Sequence, residues 1–149
     1  MGTLVLVIER CLKNIDLAGS CIGHLVSQQS NELHGYQMQT CAVEAITNCV
    51  RHSYRDMAEW KVEIHYQIHA DKIIIDIADT GCAMDPHIFE NASADFNYNP
   101  MDTENLPEGG WGLKLIKAWM DESDYYSENG VNHFRLVKHV PPADDPDSY

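Results

Sequence analysis

Residues 60–78 constrain the fold more than any other part of the sequence. WKVEIHYQIHA, at 60–70, alternates apolar and polar side chains, which predicts a strand with one buried face. KIIIDIA, at 72–78, predicts a second strand, and Ala70 and Asp71 between the two leave room only for a tight turn. A hairpin of this kind is antiparallel, so the chain is expected to contain an antiparallel sheet that packs against a second layer.

Helical periodicity elsewhere predicts that second layer. The other predicted elements are a strand at 3–9, helices at 15–30, about 36–57 and 112–121, and strands at 124–128 and 132–139. A break is predicted at 31–35, and residues 80–110 form a long loop with short helical pieces, a length that is usually functional or mobile. The fold class is therefore an α/β (α+β) two-layer sandwich, with a mixed, mostly antiparallel sheet and helices on one face.

Composition limits the partners and the compartment. Ten Lys and Arg against 23 Asp and Glu give a net charge of −13, which repels phosphate backbones, so no nucleic-acid partner is expected. A phosphate compound would need a metal ion or local donors to bind. No signal-peptide or membrane-spanning pattern is visible, so we expect a cytoplasmic protein without a membrane partner. The five cysteines, without CxxC spacing, are interpreted as reduced and mostly core residues.

AVEAITNCVRH, residues 42–52, places a polar stripe on an otherwise apolar helix. Glu44, Asn48 and His52 are four residues apart and so share one helical face. Glu and Asn oxygens coordinate hard cations such as Mg²⁺, and a Glu that faces a hydroxyl can act as a general base. The alternatives are a solvated stripe and, for the histidine, a packed side chain.

Two further motifs follow along the chain. DIADTGCAMDP, at 76–86, places Asp79 at a strand end, where it could accept a hydrogen bond from an exocyclic amine, and Gly81 would permit close approach of a ligand. EGGWGLKLIKAWMDE, at 108–122, leads from glycines into a helix, whose first amide groups bind phosphate well. The alternatives are a plain Asp-Thr-Gly turn and a flexible hinge, and each motif alone is a weak signal.

The order of the three motifs is ExxxN on a helix, DxG after a strand, a long loop, and GxGL at the start of a helix. This order resembles the ATP-binding domain of the GHKL superfamily, the Bergerat fold. Within it, AVEAITNCVRHSY and GLKLIKAWMDE resemble the bacterial anti-sigma factor serine/threonine kinases, over about residues 3–140. The resemblance implies a histidine-kinase-like ATPase domain at 1–140, which leaves a disordered acidic tail at 141–149.

The resemblance also implies a role for each motif residue. Asn48 would ligate the Mg²⁺ that bridges the phosphates of ATP, and Glu44 would activate the hydroxyl of a protein substrate. Asp79 would accept a hydrogen bond from the adenine amine, and Gly81, which has no side chain, would leave space for the base. The residues that would wrap the phosphates are Gly110, Trp111, Gly112 and Leu113. The loop over about 86–110 would be the ATP lid.

Three features depart from the family pattern. Ala83 stands where a second glycine is common after Asp-Thr-Gly. The last strand commonly offers a Thr near the adenine, and aligning this sequence with the family pattern places Arg135 there. Either that register is off by one residue or the adenine contacts differ. No Lys or Arg lies between Lys72 and Lys114, so the lid lacks the arginine that often meets the terminal phosphate.

The leading hypothesis is an ATP- and Mg²⁺-dependent serine protein kinase of the partner-switching type. It would phosphorylate a small STAS-type anti-sigma antagonist and sequester a sigma factor or a similar regulator. A homodimer through the first strand and helix is expected from the resemblance. The cation-poor lid motivates an alternative, an ATP-binding regulatory switch without phosphotransfer. A detached ATP-binding half of a histidine kinase ranks last, since that interpretation expects a phosphoacceptor module before the strand at 3–9.

Overall fold

The computed structural model describes residues 2–9, 11–53, 60–92 and 111–141, without the side chains of residues 52 and 53. Its elements are β1 (Gly2–Glu9), α1 (Leu12–Gln29), α2 (Glu32–Ser53), β2 (Lys61–Ile68), β3 (Lys72–Asp79), α3 (Pro86–Glu90), α4 (Trp111–Trp119), β4 (Glu122–Glu128) and β5 (Val131–His139). The strands form one sheet in the order β1-β2-β3-β5-β4, and every described pairing is antiparallel. The predicted two-layer α/β fold is confirmed.

The core lies between the helices and one face of the sheet. Along β2, Val62, Ile64 and Tyr66 are buried, whereas the residues between them are not. This alternation follows from the two-residue period of a strand, and it was visible in the sequence. The buried residues of α1 and α2 that pack in the same core include Ile22, Val26, Met38, Ala42 and Ile46. None of the described helices is long and apolar enough to cross a membrane.

The predicted break between the two helices is confirmed, but it is shorter than 31–35, since α1 ends at Gln29 and α2 begins at Glu32. Only two residues separate α1 from α2, because the Asn31 side chain accepts a hydrogen bond from the backbone N–H of His34 (2.8 Å) and so caps α2. Gly35 lies inside α2, where an added Cβ would be 2.6 Å from the carbonyl oxygen of Gly23 on α1. A glycine interpreted as a helix breaker is therefore the residue that lets the two helices approach closely.

The start of the long loop contains a short helix, as predicted. Asp85 caps α3 by accepting a hydrogen bond from the backbone N–H of His87 (3.0 Å), and Pro86 occupies the first turn. Residues 93–110, which make up most of the predicted lid, and residues 142–149 of the predicted tail lie outside the described residues.

The interpretation of the cysteines as mostly core residues is wrong. All five are free, but only Cys41 and Cys49 are buried, whereas Cys11, Cys21 and Cys82 are exposed. Burial raises the pKa of the Cys41 thiol to about 12 and raises that of the Cys49 thiol well above its ordinary value. A raised pKa lowers the fraction of reactive thiolate at pH 8.

We therefore expect a thiol reagent at pH 8 to modify three cysteines rapidly in the native protein. Cys41 and Cys49 should react only after unfolding, because both are buried and protonated at this pH. Time-resolved absorbance with an aromatic disulfide reagent, followed by peptide mapping, measures the number and the identity of the rapid sites. Rapid native labelling of Cys41 or Cys49 would contradict the packing of α2.

Candidate functional site

One polar cluster lies at the carboxyl end of β3. Asp79, the last residue of that strand, is 2% exposed. Its Oδ1 accepts hydrogen bonds from the backbone N–H of Gly81 and from Nδ2 of Asn132, both at 2.9 Å. Its Oδ2 is buried and accepts no hydrogen bond from a nitrogen or oxygen of the described residues, although the Cys49 thiol of α2 lies within reach of the carboxylate. Because a buried acceptor without a donor is costly, this oxygen marks a position where the donor group of a ligand fits.

The last strand meets this cluster through Asn132, three positions before Arg135. The register of β3 and β5 pairs Asp79 with Asn132, and it pairs Asp76 with Arg135. Successive side chains of a strand point to opposite faces, so Arg135 lies on the other face of the sheet. The alignment that placed Arg135 on the face of Asp79 is therefore wrong, and the buried amide of Asn132 lies beside Asp79 instead.

Helix α2 and strand β4 complete the surroundings of Asp79. The Cys49 thiol of α2 has a pKa raised first by burial, then by the negative charge of Asp79 and by a side-chain hydrogen bond to it, so the two groups are in contact. On β4, the Tyr125 hydroxyl accepts a hydrogen bond from the backbone N–H of Met84 (2.8 Å). This bond holds the segment that follows Gly81 against the sheet.

A second polar cluster lies where α2 meets the start of α4. Glu44 and Asn48 are half-buried and one turn apart on α2. A Cβ added at Gly112 would collide with Oε2 of Glu44 and would lie 2.9 Å from its Cδ. The glycine therefore allows the first turn of α4 to lie directly against the Glu44 carboxylate. The first amide groups of a helix lack partners within it, so an anion can bind at this place.

The two clusters are arranged along one helix. Glu44 contacts the start of α4, and Cys49, five residues later, lies beside Asp79. Five residues of an α-helix rise by about 7.5 Å. A ligand that spans both clusters needs a hydrogen-bond donor at one end, and negative charge at its other end needs a cation beside the Glu44 carboxylate.

The structure thus brings the predicted residues of α2, β3 and α4 to one side of the sheet. The described members of the predicted set are Glu44, Asn48, Asp79, Gly81, Trp111, Gly112 and Leu113. Gly110 and the side chain of His52 lie outside the described residues. The chemical role of each residue stays a prediction. Sequence reasoning missed Asn132 and Cys49. The Asn-Gly dipeptide at 129–130 was a signal for the β4–β5 register, because it favours a tight hairpin turn. In the structure Asn129 and Gly130 have φ angles of 51° and 78°, as such a turn requires.

The contact between Glu44 and Gly112 leads to a prediction on stability. Gly112→Ala should lower the free energy of unfolding by about 1–3 kcal/mol, because either the carboxylate or the start of α4 must move. Urea unfolding followed by circular dichroism measures this change. Gly2→Ala is the matched control, since an added Cβ there meets nothing within 4 Å. Equal midpoints for the two variants would contradict the close packing of α4 on Glu44.

Comparisons with known proteins identify the family of this chain. The family model of the histidine kinase-like ATPase domain matches residues 1–138. The serine-protein kinase RsbW of Oceanobacillus iheyensis is 37% identical over 95 residues, which cover 63% of this chain and 59% of that protein. The same-named kinase of Staphylococcus epidermidis is 35% identical over 98 residues, which cover 65% of this chain and 60% of the relative. The chain therefore spans less than two thirds of the length of these curated relatives.

Among solved structures, the catalytic domain of histidine kinase ThkA superposes with a TM-score of 0.49 at 10% sequence identity, over 92% of this chain and 96% of that chain. The family model, by contrast, matches nearly the whole sequence, including all three motifs. The predicted GHKL membership is thereby confirmed: this chain belongs to the histidine kinase-like ATPase family.

Proposed function

We propose that this chain is an ATP- and Mg²⁺-dependent serine protein kinase of the partner-switching type. The observation that carries the proposal is the pair of clusters along α2, a buried acceptor on Asp79 that lacks an N–H donor among the described residues and a carboxylate at the start of α4. The similarity to proteins named serine-protein kinase supports the same reaction class.

The cluster around Asp79 suits the base of the nucleotide. Its buried Oδ2 needs a donor, and the exocyclic amine of adenine is one. Gly81 has no side chain that would occupy the space next to this oxygen. Its backbone N–H donates a hydrogen bond to Oδ1, the other oxygen of the carboxylate. Adenine would therefore give Oδ2 of Asp79 the N–H donor that it lacks among the described residues.

The cluster at the start of α4 suits the phosphates. Asn48 would hold Mg²⁺ through its amide oxygen, which adds no further negative charge to a chain of net charge −13. Bound Mg²⁺ supplies charge neutralisation between the phosphate oxygens. The residues that would contact the phosphates are Gly110, Trp111, Gly112 and Leu113. Residues 73–113 contain no lysine or arginine. The backbone N–H groups at the helix start would provide the hydrogen-bond donors for the phosphates instead.

Glu44 would act as the general base. Its carboxylate lies against the first turn of α4, where the terminal phosphate would bind. It accepts the proton of a serine hydroxyl as the serine oxygen forms a bond to the γ-phosphorus. The bond from that phosphorus to the β–γ bridging oxygen breaks, and ADP leaves with the electron pair.

The proposed protein partners are a STAS-type anti-sigma antagonist as substrate and a sigma factor or similar regulator. A homodimer through β1 and α1 is also proposed. β1 is a sheet edge on which Leu4, Val5 and Val7 are 42–50% exposed, and α1 exposes Leu12 and Leu17. Apolar side chains on the edge strand of a sheet favour association with another chain.

Phosphotransfer to a panel of purified STAS-type antagonists, with Mg²⁺ and ATP, tests the proposal. We expect phosphoserine on at least one antagonist by mass spectrometry, and none on the same antagonist with that serine replaced by alanine. If ATP binds but no antagonist is phosphorylated, the second candidate function applies, an ATP-dependent switch without phosphotransfer. The absence of lysine and arginine from residues 73–113 favours that second candidate.

A further inference from the structure

A lysine that the site has not used so far lies at the start of α4. Lys114 is the first lysine or arginine of the chain after Lys72. Its Nζ lies 5.4 Å from the centre of the Trp111 ring, within the range of a cation–π contact. Trp111 is the first residue of α4, and helical side chains point back toward the N-terminus of their helix. The contact therefore holds the ammonium group of Lys114 beside the end of the helix.

The position of Gly112 shows how this helix end is oriented. A Cβ added there would collide with the Glu44 carboxylate, so this side of α4 faces α2. Each residue turns an α-helix by about 100°, so Lys114, two positions later, lies on nearly the opposite side. No ion pair between the described residues involves Lys114 or Glu44. The end of α4 is thus flanked by a carboxylate on one side and by an ammonium group on the other.

The next lysine of α4 has a different environment. The Nζ of Lys117 lies 4.0 Å from the centre of the Phe89 ring of α3. Phe89 is 4% exposed and packs edge-on against Phe134, at 5.1 Å between ring centroids. The charge of Lys117 is therefore held against α3, whereas that of Lys114 is held against the first turn of α4.

A phosphate group at the start of α4 needs a positive charge in addition to the helix amides. Glu44 places a negative charge against the same turn, and the chain as a whole carries a net charge of −13. A hydrogen bond from an ammonium group to a phosphate oxygen is about twice as strong as one between neutral groups. ADP lacks the terminal phosphate, so a cation that contacts this group binds ATP more tightly than ADP.

We propose that Lys114 contacts the terminal phosphate of ATP and makes the site prefer ATP to ADP. The inference rests on the proposed function, because it takes the start of α4 as the place where the phosphates bind. The ammonium group would supply the charge that residues 73–113, which contain no lysine or arginine, do not supply. Since Glu44 lies on the other side of the helix end, its carboxylate stays free to accept the proton of the serine hydroxyl.

Lys114→Met tests the inference, because methionine keeps much of the length of the side chain and removes its charge. The measurement is a calorimetric titration of the full chain with ATP and with ADP, both in Mg²⁺. We expect the ratio of the ADP Kd to the ATP Kd to fall by about tenfold or more, the size of one lost hydrogen bond to a charged group. Lys114→Arg, which keeps the charge, should retain most of the wild-type ratio.

Lys117→Met is the matched control, since it removes the same charge from the same helix at a lysine that is held against α3. It should leave the ratio unchanged. A general effect of net charge on nucleotide binding would lower the ratio equally in Lys114→Met and Lys117→Met, and that result would overturn the inference.

An unchanged ratio in Lys114→Met also overturns the inference, and so does a wild-type protein that binds ATP and ADP equally well. In both of these cases the proposed nucleotide site itself still stands. If Lys114→Met does not fold, Lys114→Gln is measured in its place and judged by the same ratio. A wild-type protein that binds neither nucleotide overturns the proposed function, and the inference with it.

Discussion

Replacing Glu44 by Gln is expected to abolish phosphotransfer while ATP still binds. The amide has the shape of the carboxylate, so the contact with Gly112 is kept, but it cannot accept the proton of a serine hydroxyl. Loss of a general base lowers kcat by about 10²–10⁴-fold. Affinity for ATP should be equal or higher, because a negative charge next to the phosphates is removed. Single-turnover phosphotransfer and ATP titration of the same preparation measure the two effects separately.

Glu32→Gln is the matched control, because Glu32 lies on the same helix, in its exposed first turn. Phosphotransfer by this variant should equal that of the wild type. A Glu44→Gln protein that transfers phosphate as fast as the Glu32→Gln protein would contradict the assignment of Glu44 as general base. Phosphotransfer would then depend on another base.

Replacing Asn48 by Ala is expected to remove the Mg²⁺ dependence of ATP binding. The half-buried amide would be the neutral oxygen ligand of Mg²⁺ on α2, one turn from Glu44. Removing even an indirect partner of a metal commonly costs about 10–100-fold in metal affinity, so loss of a direct ligand should cost at least about tenfold. Titration with ATP in Mg²⁺ and in a chelator measures the effect.

Asn48→Asp is the control for this second prediction. It keeps an oxygen at the same place and adds a charge that Mg²⁺ tolerates, so the difference between Mg²⁺ and chelator should persist. If Asn48→Ala retains the wild-type difference between the two conditions, Asn48 does not ligate the metal.

The local parts of the fold could be predicted from the sequence. The hairpin of β2 and β3 was visible because strand alternation and a two-residue turn are local features. The shared face of Glu44 and Asn48 follows from helix geometry alone. By contrast, the role of Gly35 depends on where α1 crosses α2, which no local pattern encodes.

The candidate site could be predicted only in part, because some of its contacts depend on the tertiary fold and not on local sequence patterns. Its motif residues were found because their spacing along the chain is distinctive. Asn132 was missed because its partner Asp79 is 53 positions away, and only the register of β5 brings them together. The contact of Glu44 with Gly112 likewise depends on the packing of α4 against α2, which is set by the tertiary fold.

Calorimetric titration of the wild-type protein with ATP, with and without Mg²⁺, tests the central claim most directly. That claim is that α2, the end of β3 and the start of α4 form a site for Mg²⁺-bound ATP. Binding of one ATP per chain that requires Mg²⁺ is the expected result. The absence of binding in both conditions would contradict the claim, and the chain would then be a member of its family that has lost the nucleotide.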